Sequence, residues 1–232
     1  MLPDLRAVVF DLDDTLYPYR WFVRSGFAEV ARDLQWCRGL DADLVLRRLV
    51  RTSRGHGRGR EIQAMLQAFG LPETDLPRLV RVLRHHEPTM HLPRTGRRLL
   101  ARLRGAGWRL GVLTNGDPAI QARKVRALGI ERYVDGVVYA ASCGDGTGKP
   151  DPAAFEAIAR RLEVPAPQTV FVGDDEAADV RGATAAGMVA IYCAVWRPGA
   201  PAASGVATAR QYRQIPGLAR VLLEEAATHH AA

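Results

Sequence analysis

Acidic, hydroxyl and amide side chains follow three short apolar runs of the sequence, and their types suit the binding of a metal ion and an anion. The first run is followed by Asp11-Leu12-Asp13-Asp14-Thr15, the second by Thr114-Asn115-Gly116, and a later one by Gly173-Asp174-Asp175, with Asp179 shortly after. Carboxylates clustered from Asp11, Asp13 and Asp174 would repel one another unless a cation lay between them. Their hard oxygen atoms suit Mg²⁺, which binds one or two carboxylates together with a substrate phosphate.

Five apolar segments rich in valine and leucine predict the strands that would carry these residues: 7–10, 110–113, 136–139, 169–172 and 189–192. Helical patterns over 96–103, 119–128, 153–162 and 177–186 alternate with the later strands, and Asp-Pro pairs at 117–118 and 151–152 signal helix starts. This alternation predicts an α/β fold with a doubly wound, Rossmann-like parallel sheet. Ligands of such sheets bind beyond the carboxyl ends of the strands, so the three polar segments are expected to converge on one crevice.

Residues 17–88 contain no convincing strand but four apolar stripes at helical spacing, which predict an inserted, all-helical domain. The predicted division is therefore an α/β core of 1–16 and 89–232 and a helical cap of 17–88. Because the insert follows the first strand, the cap is expected over the end of the sheet from which that strand exits. The chain after Cys193 is expected to be a loose surface segment that closes with a short helix at 217–227.

Composition and charge exclude several classes of protein. The 232 residues carry a formal net charge of +7, but the basic residues are scattered, so we expect no nucleic-acid partner. No long apolar run and no secretory signal pattern occurs, which predicts a cytoplasmic protein without a membrane partner. Cys37, Cys143 and Cys193 are too widely spaced for a disulfide framework or a zinc site. Lys124 and Lys149 are the only lysines among 32 basic residues, and a retained lysine can mark a site that needs a compact ammonium.

Four ordered motifs resemble those of the haloacid dehalogenase superfamily. They are Phe10-Asp11-Leu12-Asp13-Asp14-Thr15-Leu16, Leu113-Thr114-Asn115-Gly116, Lys149-Pro150-Asp151-Pro152, and Val172-Gly173-Asp174-Asp175 with Asp179 after three further residues. The resemblance spans nearly the whole chain, and the helical insert is similar to the cap of the first subgroup of that superfamily. The nearest relatives by resemblance are small-molecule phosphatases of the flavin mononucleotide and 5'-nucleotide phosphatase kind. The loop 142–148 departs from the usual pattern because it is richer in glycine and lacks the common glutamate.

The resemblance implies a Mg²⁺-dependent phosphomonoester hydrolase that acts on a small phosphorylated metabolite. Asp11 would be the nucleophile that forms an aspartyl phosphate. Asp13 would be the general acid and then the general base, while its backbone carbonyl binds the metal ion together with Asp11 and Asp174.

The same resemblance implies roles for the other motif residues. Thr114 and Asn115 would hold the phosphoryl oxygens, and Lys149 would neutralise the nucleophile and the phosphate. Asp179 would orient Lys149 or a metal-bound water. Asp175 would either share the metal shell or simply cap the next helix.

Several alternatives remain beside this interpretation. Asp13 favours phosphoryl chemistry over dehalogenation, and the absence of a lysine in the predicted cap argues against a phosphonatase. A phosphosugar mutase uses the same nucleophile and acid, and a phospho-acceptor receiver or a non-catalytic interaction module would keep similar residues. Outside the motifs, Arg58 or Arg60 of the basic loop 55–60 is a candidate contact for a second anionic or polar part of the substrate. The histidines 85, 86 and 91 are more typical of solvated or packed residues than of a metal site.

Overall fold

The computed structural model describes residues 6–53, 59–199 and 205–230 of the chain. The chain divides into two compact units, Met1–Pro18 with His91–Ala232, and Tyr19–Met90. These boundaries lie two residues beyond those predicted from the sequence. None of the helices in the described ranges is long and apolar enough to cross a membrane.

The first unit is built on a parallel sheet in the strand order β3-β2-β1-β4-β5-β6. The strands are β1 (Ala7–Phe10), β2 (Arg109–Thr114), β3 (Gly136–Tyr139), β4 (Thr169–Gly173), β5 (Val189–Cys193) and β6 (Ala207–Ala209). The five predicted strands and the doubly wound α/β fold are confirmed. The central strands β1 and β4 are almost completely buried, because helices cover both faces of a parallel sheet and leave no polar side for alternation.

The sixth strand corrects the expectation that the chain after Cys193 is only a loose segment. β6 consists of Ala207, Thr208 and Ala209, and it pairs in parallel with β5. A three-residue edge strand buries one face poorly and needs no apolar run, so its sequence contains no periodic signal.

The helices of the first unit are α5 (Arg94–Gly105), α6 (Pro118–Leu128), α7 (Pro152–Leu162), α8 (Gly182–Ala185) and α9 (Ile215–His230). The two predicted helix starts are confirmed by their N-cap hydrogen bonds. Asp117 accepts from the backbone N–H groups of Ala119 and Ile120, and Asp151 accepts from that of Ala153. The predicted helix at 177–186 differs in detail. Residues Glu176–Arg181 form a wider π-helical turn that runs into α8.

The second unit consists of four helices in its described part, α1 (Arg20–Arg38), α2 (Ala42–Ser53), α3 (Glu61–Ala68) and α4 (Leu76–His85), one for each apolar stripe of the sequence. Their apolar faces form one core around the buried side chains of Leu34, Leu49, Met65 and Leu79. This unit therefore has its own hydrophobic core, as expected of an inserted domain.

Candidate active site

The polar residues after β1 and β4 lie side by side because these strands are neighbours in the sheet. Phe10 is in register with Val172, and the backbone N–H of Asp11 donates to the carbonyl of Val172 at 2.9 Å. Asp174 follows one residue after the end of β4. The parallel arrangement therefore brings Asp11 and Asp174 to the same edge of the sheet, where both are more than nine-tenths buried.

Lys149 lies between two buried aspartates. Its Nζ donates to Asp11 Oδ1 at 2.6 Å, to Asp179 Oδ1 at 2.6 Å and to the carbonyl of Leu113 at 3.1 Å. Three acceptors satisfy the three protons of an ammonium group. Burial by itself would lower the pKa of Lys149, but the charges of Asp11 and Asp179 outweigh it and raise the pKa, so the lysine is a fixed positive charge.

Asp11, Asp174 and Asp179 form a buried acidic cluster in which one carboxylate oxygen from each lies within 4.8 Å of the others. Arg197 also contacts the cluster, with its Nη2 2.8 Å from Asp174 Oδ2. Burial raises the pKa of Asp174 to about 7 despite the opposing charge of Arg197. Burial likewise raises the pKa of Asp11 well above its usual range, although Lys149 opposes this.

These raised pKa values test whether the cluster suits a divalent cation. They mean that Lys149 and Arg197 do not fully stabilise the charged carboxylates of Asp11 and Asp174, so further positive charge would be favourable there. The donors are all hard oxygens, as Mg²⁺ requires. The residues present therefore fit a metal ion such as Mg²⁺.

The π-helical turn explains the spacing between Gly173 and Asp179. Asp175 begins the turn and accepts hydrogen bonds from the N–H groups of Ala177 and Ala178, both at 2.8 Å. Its own N–H donates to Asp179 Oδ2 at 3.1 Å, which turns Asp179 back toward Lys149. Gly173 is required where it stands, because a Cβ atom there would overlap the Asp179 carboxylate. Asp175 acts here as the helix cap, one of its two predicted roles.

Asp13 has surroundings different from those of Asp11, although only Leu12 separates them. Its Oδ2 accepts from Lys124 Nζ at 2.6 Å and from Gln121 Nε2 at 3.3 Å, and its Oδ1 accepts from the hydroxyl of Tyr17. Among the described residues, the acidic cluster takes no carboxylate oxygen from Asp13. The two aspartates are therefore held by separate sets of partners, which suits separate chemical roles.

Thr114 is the last residue of β2, and Asn115 follows it. These two residues connect Gln121, a partner of Asp13, with Lys149, the partner of Asp11. Gln121 Nε2 donates to Thr114 Oγ1 at 2.5 Å and to the carbonyl of Asn115 at 2.7 Å. The side chain of Asn115 accepts from the N–H of Lys149 at 2.7 Å and donates to its carbonyl at 2.9 Å. Gly148, with φ of 77°, allows this contact, since a Cβ atom there would lie 2.7 Å from Asn115 Oδ1. Gly148, the last residue of the glycine-rich loop 142–148, therefore permits the two hydrogen bonds between Asn115 and the backbone of Lys149.

The sequence did not identify four side chains that contact the predicted site: Tyr17, Gln121, Lys124 and Arg197. Lys124 had a signal, because it is one of two lysines in an arginine-rich chain. Gln121 and Lys124 also stand three residues apart in a predicted helix, so they share one face. Arg197 and Tyr17 had no signal of type or spacing.

Two predicted accessory features belong to the second unit. Arg58 lies outside the described residues, while Arg60 is exposed just before α3 of the second unit. His86 is buried, with its Nδ1 2.8 Å from the carbonyl of Leu83 and its ring 4.8 Å from that of Phe22. His86 is therefore a packed histidine, as expected.

Comparison with known proteins identifies the family. The sequence-family model of the haloacid dehalogenase-like hydrolases matches residues 5–187 of this chain. The chain belongs to this family. It is 33% identical over 196 residues to a glyceraldehyde 3-phosphate phosphatase from Methanopyrus kandleri, an alignment that covers 81% of this chain and 83% of that protein. It is 30% identical to a ribulose-1,5-bisphosphate 5-phosphatase from Halopiger xanaduensis, over 78% of this chain and 82% of the other.

Solved structures agree with the fold. The HAD-hydrolase YfnB from Bacillus subtilis superposes with a TM-score of 0.63 over 93% of this chain and 98% of that chain, at 19% identity. This likeness confirms the fold class, and the family model with the curated relatives confirms the predicted superfamily and the enzyme class of a phosphatase-type hydrolase. The first-subgroup cap and the resemblance to phosphatases of the flavin mononucleotide and 5'-nucleotide kind stay predictions, as does the cytoplasmic location.

Proposed function

We propose that this chain is a Mg²⁺-dependent phosphomonoester hydrolase that works through an aspartyl phosphate on Asp11. The observation that carries the proposal is the buried contact of Lys149 Nζ with both Asp11 and Asp179, at 2.6 Å each, beside Asp174. An acidic cluster with a fixed ammonium is suited to bringing a carboxylate nucleophile against a phosphate dianion.

Asp11 attacks phosphorus with the carboxylate oxygen that does not contact Lys149. The bond from this oxygen to phosphorus forms as the bond to the ester oxygen breaks, and Lys149 offsets part of the negative charge throughout. Asp11, Asp174 and the backbone carbonyl of Asp13 would hold Mg²⁺, with Asp179 beside them. When bound, the ion would supply electrostatic stabilisation of the phosphoryl oxygens.

Asp13 gives a proton to the departing ester oxygen, and in the second step it takes a proton from the water that hydrolyses the aspartyl phosphate. Thr114, with its hydroxyl 2.5 Å from Gln121 Nε2, holds a phosphoryl oxygen together with the backbone N–H of Asn115. The side chain of Asn115 has a different task, since it braces the backbone of Lys149.

The proposed substrate is a small phosphorylated metabolite. The two curated relatives described above are named for phosphates of a triose and of a pentulose, so short sugar phosphates come first in a substrate panel. Tyr19–Met90 is proposed to act as the cap that sets specificity. Nucleotides and flavin mononucleotide complete the panel, because the motifs of the sequence resemble phosphatases of that kind.

Release of phosphate from p-nitrophenyl phosphate and from this panel tests the proposal. The wild type should turn over with Mg²⁺ and lose activity with a chelator, and Asp11→Asn should be inactive. Asp43→Asn, which changes an exposed aspartate of α2, is the matched control and should retain wild-type rates. Equal release by Asp11→Asn and wild type would contradict the proposal.

The intermediate is tested by acid quench after mixing with ³²P-labelled substrate. Wild type should carry protein-bound label during turnover, and Asp11→Asn should carry none. A sugar phosphate that is converted to an isomer without release of inorganic phosphate would identify a mutase instead.

A further inference from the structure

Lys124 is a buried lysine that neither the motifs of the sequence nor the proposed mechanism uses. It lies in α6, with 4% of its surface exposed, and its Nζ is 2.6 Å from Asp13 Oδ2. The chain contains 32 basic residues, and only Lys124 and Lys149 are lysines. Both ammonium groups contact an aspartate of the first motif, Lys149 at Asp11 and Lys124 at Asp13.

The surroundings of Asp13 fix both of its carboxylate oxygens. Oδ2 accepts from Lys124 and Gln121, and Oδ1 accepts from the hydroxyl of Tyr17. Gln121 stands three residues before Lys124 on the same face of α6, and its amide nitrogen also contacts Thr114 Oγ1 and the carbonyl of Asn115. One face of α6 therefore ties the Asp13 carboxylate to the loop that is proposed to hold the phosphoryl group.

We propose that Lys124 is a positioning residue, which holds the Asp13 carboxyl group where it can exchange a proton with the leaving oxygen of the substrate. This proposal rests on the proposed function, in which Asp13 is the general acid. The proton on Asp13 passes to the ester oxygen as that oxygen takes the electron pair of its bond to phosphorus, and the new bond to phosphorus comes from Asp11. Lys124 takes no part in the proton transfer and acts through Asp13.

The donor and acceptor properties of the partners say which oxygen does this work. An ammonium has no lone pair, so Oδ2 must remain an acceptor toward Lys124. A hydroxyl group can donate or accept, so Tyr17 is compatible with Oδ1 both with and without a proton. Oδ1 is therefore the oxygen that exchanges the proton, and Lys124 fixes its direction by holding Oδ2.

A positioning role differs from simple neutralisation of a buried charge in its dependence on the leaving group. An alkyl phosphate leaves as an alkoxide and needs the proton of Asp13, whereas p-nitrophenyl phosphate leaves as a stable phenolate and needs it far less. Loss of the position of Asp13 should therefore affect the two esters unequally. Damage to the fold, or to Asp11 and the metal site, should affect them equally.

The test is kcat/KM of Lys124→Met for p-nitrophenyl phosphate and for the best alkyl phosphate of the panel, because kcat/KM reports the first displacement. General acid catalysis is worth roughly 10²–10⁴-fold, so we expect a loss of about 10- to 100-fold on the alkyl ester and under about threefold on the aryl ester. Arg126→Met removes an exposed cation from the same helix and should change neither value by more than about twofold. Equal losses on both esters, or no loss, would overturn the role of Lys124.

Lys124→Arg keeps the result decisive if Lys124→Met is poorly folded, and a double variant adds a separate test where Lys124→Met folds. Lys124→Arg retains the charge, but its planar guanidinium does not place a single nitrogen as an ammonium does, so kcat/KM should still fall more on the alkyl ester than on the aryl ester. Wild-type kcat/KM on both esters would show that charge alone matters. The double variant Lys124→Met with Asp13→Asn should be no slower on the alkyl ester than Asp13→Asn, and an additional loss would contradict the proposal. Wild type without turnover on any ester refutes the proposed function, whereas active wild type with equal losses refutes only the role of Lys124.

Discussion

The buried ion pairs of Lys149 predict a large loss of stability when the ammonium is removed. In Lys149→Met, two carboxylates that lay 2.6 Å from Nζ lose their cation, and the side chains of Lys149 and Asp179 are both only 2% exposed. Removing one partner of a buried pair typically costs about 3–5 kcal/mol, because the remaining charge stays desolvated. The opposed carboxylates of Asp11 and Asp179 will resist charging in the variant, so we expect the loss to be greater at pH 8 than at pH 5.

Urea unfolding in the presence of a chelator measures this effect. Arg160→Met is the matched control, since its pair with Glu156 is 3.4 Å long and both side chains are more than 60% exposed; such a pair contributes about 0.5 kcal/mol or less. Mg²⁺ should recover part of the stability of Lys149→Met at pH 8 if it binds the acidic cluster. The reasoning is refuted if Lys149→Met and Arg160→Met shift the unfolding free energy equally while the m value is unchanged.

Three further predictions concern the residues around the cluster. Gly173→Ala should lower the free energy of unfolding by about 1–3 kcal/mol, since the new methyl group displaces the Asp179 carboxylate, and an unshifted urea midpoint would contradict this. Burial raises the pKa of Asp174 to about 7 from 3.8, so the folded protein binds this proton more tightly than the unfolded chain, and the stability that this proton contributes is lost as pH rises from about 4 toward 7. In the presence of a chelator, Asp174→Asn should flatten that decline in the free energy of unfolding. Parallel curves of stability against pH for variant and wild type would count against the assignment. Arg197→Gln removes a cation 2.8 Å from Asp174 and should tighten Mg²⁺ binding, measured by calorimetry, about three- to fivefold. Arg181→Gln changes an exposed arginine and should leave the affinity for Mg²⁺ as in wild type. Equal Mg²⁺ affinities of Arg197→Gln and wild type would be evidence against competition between Arg197 and the ion at Asp174.

The sequence predicts those parts of the fold whose signals are local. Apolar runs mark β1 to β5, and the runs of β1 and β4 reflect central parallel strands that are buried on both faces. Asp-Pro pairs mark the first turns of α6 and α7. β6 escapes detection because a three-residue edge strand is defined only by its pairing with β5. The π-helical turn at Glu176–Arg181 escapes detection because it arises from the hydrogen bonds of Asp175 and Asp179, which periodicity does not report.

The site shows the same division between local and tertiary information. The motif residues stand at strand ends, so their convergence follows from the parallel sheet alone. The partners of those residues come from α6 and from the chain after β5, over 100 residues away from Asp13 in the case of Gln121 and Lys124. Only residue type could hint at such a contact, and for Lys124 it did, because a lysine retained in an arginine-rich chain can mark a site that needs a compact ammonium.

The separation of Asp11 from Asp13 explains how one short motif can supply two chemical roles. In the proposed mechanism Asp11 is a nucleophile only while it is charged. Burial raises its pKa, Lys149 opposes this, and a bound metal ion would oppose it further. The Asp13 carboxylate accepts hydrogen bonds from other residues, namely Lys124, Gln121 and Tyr17. With one lysine for each aspartate, variants of Lys149 and Lys124 should impair the same displacement in different ways. Loss of Lys149 should slow attack on phosphorus whichever leaving group is used, whereas loss of Lys124 should slow the reaction mainly of esters with a basic leaving group.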